Sequence, residues 1–377
     1  MTSSAKTTVV AASGLVLLAA TAALSLLVGS QGISPAAVLG ALRGAGDDLA
    51  SGIVAARVDR TLIAVVVGAC IALAGVVLQG LTRNPIAEPG ILGLNSGAAL
   101  LVVIGIRLGL LSDVVDYLWT ALVGVVITGL VVHLITLSVP VQRQPMTTAL
   151  AGAAILAATS SIMVGLLVSD DGALDVFRYW QVGSVAGKDA SIIGQVLPFL
   201  LVGLVLTLAS GRTLNTMALG DDVARALGQR VLLARGSALL GALLLTATAC
   251  ALAGPIAFVG LAVPHVVRLL GGSDNRRGLL GSLLLGPSLL LLADSLGRVV
   301  SPPSEVQVGV MTAVIGAPAL TTAARRAVRG GAPPSPPPSR SVRSAARARG
   351  GRCVAPSCSS SSSSPPSSCA SPSATTR

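Results

Sequence analysis

Charge is scarce in this sequence. Of its 377 residues only 11% are Asp, Glu, Lys or Arg, against roughly 25% in soluble domains. That leaves too little polar surface to cover a soluble globule of this size. Aromatic residues are scarcer still, at 2%, which removes the stacking platforms that bind single-stranded nucleic acid. The two histidines, His133 and His265, stand alone, so each reads as structural and neither as part of a metal site. Cys70 and Cys250 sit in apolar runs and read as small packing residues. Cys353, Cys358 and Cys369 follow no metal or redox spacing. No Ser-His-Asp grouping stands out. No GxxxxGK(S/T) phosphate loop occurs. Gly183 to Asp189, reading GSVAGKD, is one residue short and lacks the hydroxyl for magnesium. The chain is therefore not expected to be an enzyme, to hydrolyse ATP by itself or to bind a cofactor.

What it has instead is apolar length. Hydrophobic residues make up 53% of the chain and come in uncharged blocks. About 20 residues at 1.5 Å each cross the ~30 Å hydrocarbon core of a bilayer. Ten such runs are read: 9–28, 61–81, 91–110, 118–138, 147–168, 191–209, 233–253, 255–270, 279–298 and 307–322. The first is longer than a signal-peptide core. The eighth is short and holds Pro264. The runs are continuous and rich in Leu, Ala, Val and Gly, unlike the alternation of a barrel strand. The expected fold is an all-α polytopic membrane protein of about ten transmembrane helices, embedded in a lipid bilayer.

The formal charge is +11. No folded basic domain exists to hold a duplex, so no nucleic-acid partner is expected. Placing the N-terminus inside puts thirteen Lys and Arg in inner loops and seven in outer ones, which satisfies the positive-inside rule. Both termini are then cytoplasmic. Ala72-Leu73-Ala74-Gly75 recurs as Ala251-Leu252-Ala253-Gly254, each followed by a Gly (Gly80, Gly260) and a Pro (Pro85, Pro264). The offset of five spans predicts inverted-repeat halves. Residues 1–330 form the membrane domain. Residues 331–377, dominated by Pro, Ser and Arg, read as a disordered tail.

Ionisable groups inside the runs are few. Asp294 and Arg298 lie one turn apart and read as an interfacial ion pair. The lack of interior carboxylates argues against a stand-alone secondary transporter. The long loop 211–231 contains ALGDDVARALGQRV (218–231). Asp221 and Asp222 suit the positive end of a short helix, and Val223, Ala226 and Leu227 make one apolar face. Gly220 and Gly228 let the chain turn at the two ends.

That loop resembles the coupling loop of FecCD-type permeases, the importers of ferric siderophores, haem and cobalamin. Residues 60–100 resemble the family's second span and following loop. GPIAFVGLAVPHVVRLL (254–270) resembles its most recognisable signature, and FRYWQVGSVAG (177–187) and VGVMTAVIGAP (308–318) resemble further segments. The resemblance implies a permease subunit of an ATP-binding-cassette importer that works by alternating access. It implies a second permease subunit, identical or different, an ATP-binding subunit that uses the ATP, and an extracytoplasmic substrate-binding protein. The ATPase contact would be Gly220, Asp221, Asp222, Val223, Ala226, Leu227 and Gly228. The binding protein would dock on Arg57, Arg60 and Arg298. Two departures stand out. Val58-Asp59 replaces the family's Leu-Pro, which sets Asp59 beside two arginines as a partner. Ala319-Leu320-Thr321 stands where aromatic residues are usual.

Overall fold

The computed structural model describes residues 3–29, 32–44, 46–140, 143–301 and 304–329. The tail read at 331–377, with its three cysteines, lies outside the described residues. The described residues hold fourteen α-helices and no strand. They are α1 (Ser3–Leu27), α2 (Pro35–Leu42), α3 (Asp48–Thr82), α4 (Leu94–Arg107), α5 (Val114–Leu137), α6 (Gln144–Leu167) and α7 (Asp171–Val182). There follow α8 (Ile192–Ala209), α9 (Gly211–Ala218), α10 (Asp221–Ala226), α11 (Val231–Ala253), α12 (Val259–Gly271), α13 (Asn275–Val300) and α14 (Val308–Arg329). Residues 1–326 form one compact unit.

Every one of the ten apolar runs falls on a helix. Seven are long and apolar enough to cross a membrane: Thr7–Leu27, Asp48–Thr82, Val114–Leu137, Met146–Leu167, Ile192–Ala209, Val231–Ala253 and Asn275–Val300. The other three, Leu94–Arg107, Val259–Gly271 and Val308–Pro318, are apolar but shorter. α3 is the central rod, packed on α13, α11 and α12. With 35 residues it spans about 52 Å at 1.5 Å per residue. It starts thirteen residues before the expected span, so Arg57 and Arg60 lie inside this helix and not in a loop ahead of it.

Glycine, not aromatic bulk, sets the packing. A Cβ on Gly68 would stand 2.7 Å from the Gly286 oxygen of α13, and one on Gly75 would overlap the Gly260 oxygen of α12. Small residues let backbones approach this closely, as membrane helix pairs require. Pro264 does not end α12, which continues to Gly271. Lacking an N–H, Pro264 leaves the Gly260 carbonyl without its helical donor. The Gln79 side chain donates to that oxygen at 3.0 Å, and Arg268 donates to the Gln79 oxygen at 2.6 Å.

Two helix–break–helix units underlie the repeat. α3 leads through 83–93 into the short α4, and α11 leads through 254–258 into the short α12. Both breaks end in a left-handed residue, Gly93 at φ 74° and Phe258 at φ 70°. The repeat is offset from the Ala-Leu-Ala-Gly register. Those residues lie within α3 but at the very end of α11. The matching segments are Pro85-Ile86-Ala87 and Pro255-Ile256-Ala257, one in each break. Irregular backbone of this kind, beside half-length helices, is a transporter feature.

Candidate functional site

Two polar clusters occupy opposite ends of α3, separated by roughly 35–40 Å of helix rise.

At the Arg57–Arg60 end the arginines hold structure together. Arg60 grips Asp294 of α13 with Nε and Nη2 (3.0 and 2.7 Å), and its Nη1 reaches Glu305 at 2.6 Å. Asp294 also pairs with Arg298 at 2.9 Å. Arg298 donates to the Ser25 and Val28 carbonyls, each at 2.9 Å, and to the Ser25 hydroxyl. Arg57 donates to the Leu26 and Leu27 carbonyls. The last carbonyls of a helix have no partner of their own, so Arg57 and Arg298 together cap α1. Asp294 and Arg298 are only 1% and 2% exposed. The ion pair read as interfacial is thus interior, a three-body group of Arg60, Asp294 and Arg298. Burial of such charges is tolerated only when they are paired and hydrogen-bonded. Asp59 is in no ion pair among the described residues, and Glu305 and Asp294 take the partner role expected of it. Arg57, Arg60, Arg298 and Glu305 line one cleft with Gly29 and Gly187. Counting buried Asp294 behind it, three guanidiniums and two carboxylates leave the group one net positive charge.

At the other end lies the 211–231 loop. α10 begins after Gly220 at φ 112° and ends at Gly228 at φ 80°. Gln229 N–H bonds the Ala224 carbonyl at 3.0 Å and Gly228 N–H that of Arg225 at 2.9 Å. That pair of bonds around a left-handed glycine is a Schellman cap, so Gly228 stops the helix as its position in the sequence implied. Ala224 is fully buried and fixes one side of α10. Val223, Ala226 and Leu227 point away, with Val223 and Leu227 44% and 65% exposed. Asp222 pairs with Arg225 on the surface. Asp221 does more than face a helix dipole. It accepts from Arg83 at 2.7 Å and pairs with Arg235 at 3.3 Å. Arg83, itself left-handed at φ 52°, also donates to the Met217 carbonyl at 2.8 Å. Arg235 donates to Gln144 of α6 at 2.5 Å.

Sequence reasoning missed Arg83, Gln144, Arg235, Ser25 and Glu305. Their partners lie far away in the chain, and no local pattern signals them.

Next to Gly187 of the arginine cleft, Lys188 in the loop before α8 donates to the Leu252 carbonyl at 2.5 Å, capping α11. Burial pushes its ammonium down to about 8. Ser184 N–H adds a bond to the Ala253 carbonyl at 2.8 Å. The GSVAGKD stretch is thus a helix-end clasp. Cys70 and Cys250 are buried free thiols, and among the described residues no His, Cys, Asp and Glu cluster could hold a metal ion.

A profile of the FecCD transport family matches residues 17–326. The chain is 40% identical over 325 residues to the ferric enterobactin transport system permease protein FepD of Escherichia coli (strain K12), covering 85% of this chain and 97% of that protein. It is 37% identical over 270 residues to the probable siderophore transport system permease protein YfiZ of Bacillus subtilis (strain 168), covering 72% and 81%. Among solved structures it is similar to an inward-facing metal-chelate type ABC transporter, with a TM-score of 0.74 and 27% identity over 84% of this chain and 98% of that one.

Proposed function

The chain belongs to the FecCD transport family, a family of multi-pass membrane proteins, and on that premise we propose that it is the permease subunit of an importer for ferric siderophores. Relatives named for ferric enterobactin, siderophore and ferric dicitrate support the substrate class. A relative named for hemin makes haem the runner-up.

The energy comes from a separate ATP-binding subunit that hydrolyses ATP, and this chain needs no cofactor. The observation that carries this reading is α10. Six residues make about 9 Å of helix, too short to be stable unsupported. Yet it is capped at its C-terminal end, anchored by Ala224, and turns an apolar face outward. Such a face fits a groove on a partner. The α10 end is cytoplasmic, in keeping with the basic inner loops, and both termini lie on that side. A second permease subunit completes the path, and closure of the ATP-binding subunits tilts the helices so that the path opens to one side at a time.

The extracytoplasmic binding protein docks over the cleft of Arg57, Arg60 and Arg298. Arg57, 6% exposed, and Arg298 act there from beneath, by holding the end of α1, and Arg60 lies nearer the mouth beside Glu305. Acidic side chains on the binding protein would meet the cleft's net positive charge.

Co-purification tests the ATPase contact. Its ATP-binding subunit should be retained by the wild-type permease and lost from Ala226→Asp, which places an unpaired charge in the contact. Equal retention by both would remove α10 from the interface.

A further inference from the structure

We propose that Asp221 is the joint through which α10 moves the membrane helices. This rests on the reading of α10 as the ATPase contact.

α10 is bracketed by glycines at φ 112° and 80°. Glycine at such angles interrupts helical geometry, so no continuous helix joins α10 to α9 or α11. What ties α10 to the bundle is therefore side-chain contact. Its one buried apolar residue is Ala224, a single methyl group. Beside its packing on α9 and α11, its polar tie among the described residues is Asp221, with two guanidiniums from two different rods. Arg83 is the C-cap of α3, and Arg235 lies in the second turn of α11. Arg235 extends the link to α6 through Gln144.

These are the rods that reach the opposite end. α3 carries Arg57 and Arg60 there, and α11 ends at the carbonyls held by Lys188 and Ser184. The Asp221 and Arg235 side chains are 14% and 13% exposed. The Arg235 arm is thus shielded from solvent, which strengthens a charge-assisted bond relative to a surface ion pair, while the shorter Arg83 arm lies nearer the surface, the Arg83 side chain being 43% exposed. Each has a direction, so a displaced α10 must drag both helix ends or break the bonds. Asp222, one residue on, has a side chain that is 98% exposed and, among the described residues, pairs with Arg225 within α10. Asp221 alone of the two faces the bundle.

The test uses the whole complex of permease, ATP-binding subunit and binding protein in proteoliposomes. A spin label at Leu49, exposed in the first turn of α3, reports motion at the far end when ATP and vanadate are added. Asp221→Asn should lower the ATP-induced spectral change, measured per ATP-binding subunit retained, by about tenfold, the factor expected for losing one or two charged hydrogen bonds. Asp221→Glu, which keeps the charge, should restore at least half of the response, a rescue that a space-filling role would not give. A full response in Asp221→Asn would overturn the joint. So would loss of docking and response together in both variants, which marks Asp221 as structural only. Ala226→Asp separates the premise: if it retains the ATP-binding subunit, α10 is not the contact and the joint falls with it.

Discussion

The Glu88 carboxylate accepts a hydrogen bond from the backbone N–H of Phe258 at 3.0 Å, across 170 residues of sequence. Glu88 lies in the break before α4 and Phe258 in the break before α12, so one bond joins the two halves of the repeat. It also satisfies an N–H at the start of α12, where such groups have no helical partner.

Glu88→Ala should therefore destabilise the protein. It leaves a part-buried N–H unsatisfied, at a cost of up to about 1–3 kcal/mol. Glu88→Gln retains a carbonyl acceptor and should cost less than half as much. The midpoint of thermal unfolding in detergent measures both. Equal losses would mean that charge, not the hydrogen bond to Phe258, is what matters.

The arginine cleft carries its own competitor. Glu305 occupies Arg60 Nη1 at 2.6 Å and is 29% exposed, placed as an incoming carboxylate would be. Glu305→Gln should speed association with the binding protein several-fold at low salt and steepen its salt dependence, because long-range attraction steers encounter. Slower or unaltered association would show that the cleft is not the docking surface. Reversing Arg60 to Glu is a poor test, since it would set two carboxylates together inside the protein at Asp294.

Lys188 predicts a pH dependence. An ordinary lysine titrates near about 10.4, and burial lowers this one to about 8. The unfolded chain thus binds the proton more tightly. Stability from this group is complete above the unfolded value and is lost as pH falls through about 8. The thermal midpoint should rise between these two values, and the rise should be shallower in Lys188→Met. An identical slope in the variant would assign the effect to other groups.

Orientation can be read by labelling. Arg230 is exposed beside α10 and Asp175 is exposed on α7. Single cysteines there, in a background lacking native cysteines, should react from opposite sides of the membrane, Asp175→Cys from outside intact cells. Labelling of both from outside would contradict the cytoplasmic placement of α10.

The helices were legible because length and hydropathy encode them directly. α3 shows the limit of that reading. Arg57 and Arg60 interrupt the apolar run, so the span seemed to begin after them. A helix needs only its backbone bonds, and here the charges are met by Asp294, Glu305 and the end of α1. The same holds for α12, where Pro264 looked like an interruption and Gln79 supplies the missing donor. α10 was legible down to its closing glycine, since capping is local. The function of Asp221 was not, because Arg83 lies 138 residues away. Contacts of that kind arise only once the helices are packed.

If this chain is a passive path driven by a separate ATPase, transport must depend on that subunit. The measurement is uptake of radiolabelled ferric enterobactin and of hemin into proteoliposomes holding the permease, its ATP-binding subunit and internal ATP, with loaded binding protein outside. Uptake of the ferric siderophore should require all three components and cease in the Ala226→Asp variant. Uptake by the permease alone, driven by a proton gradient with no ATP, would contradict it.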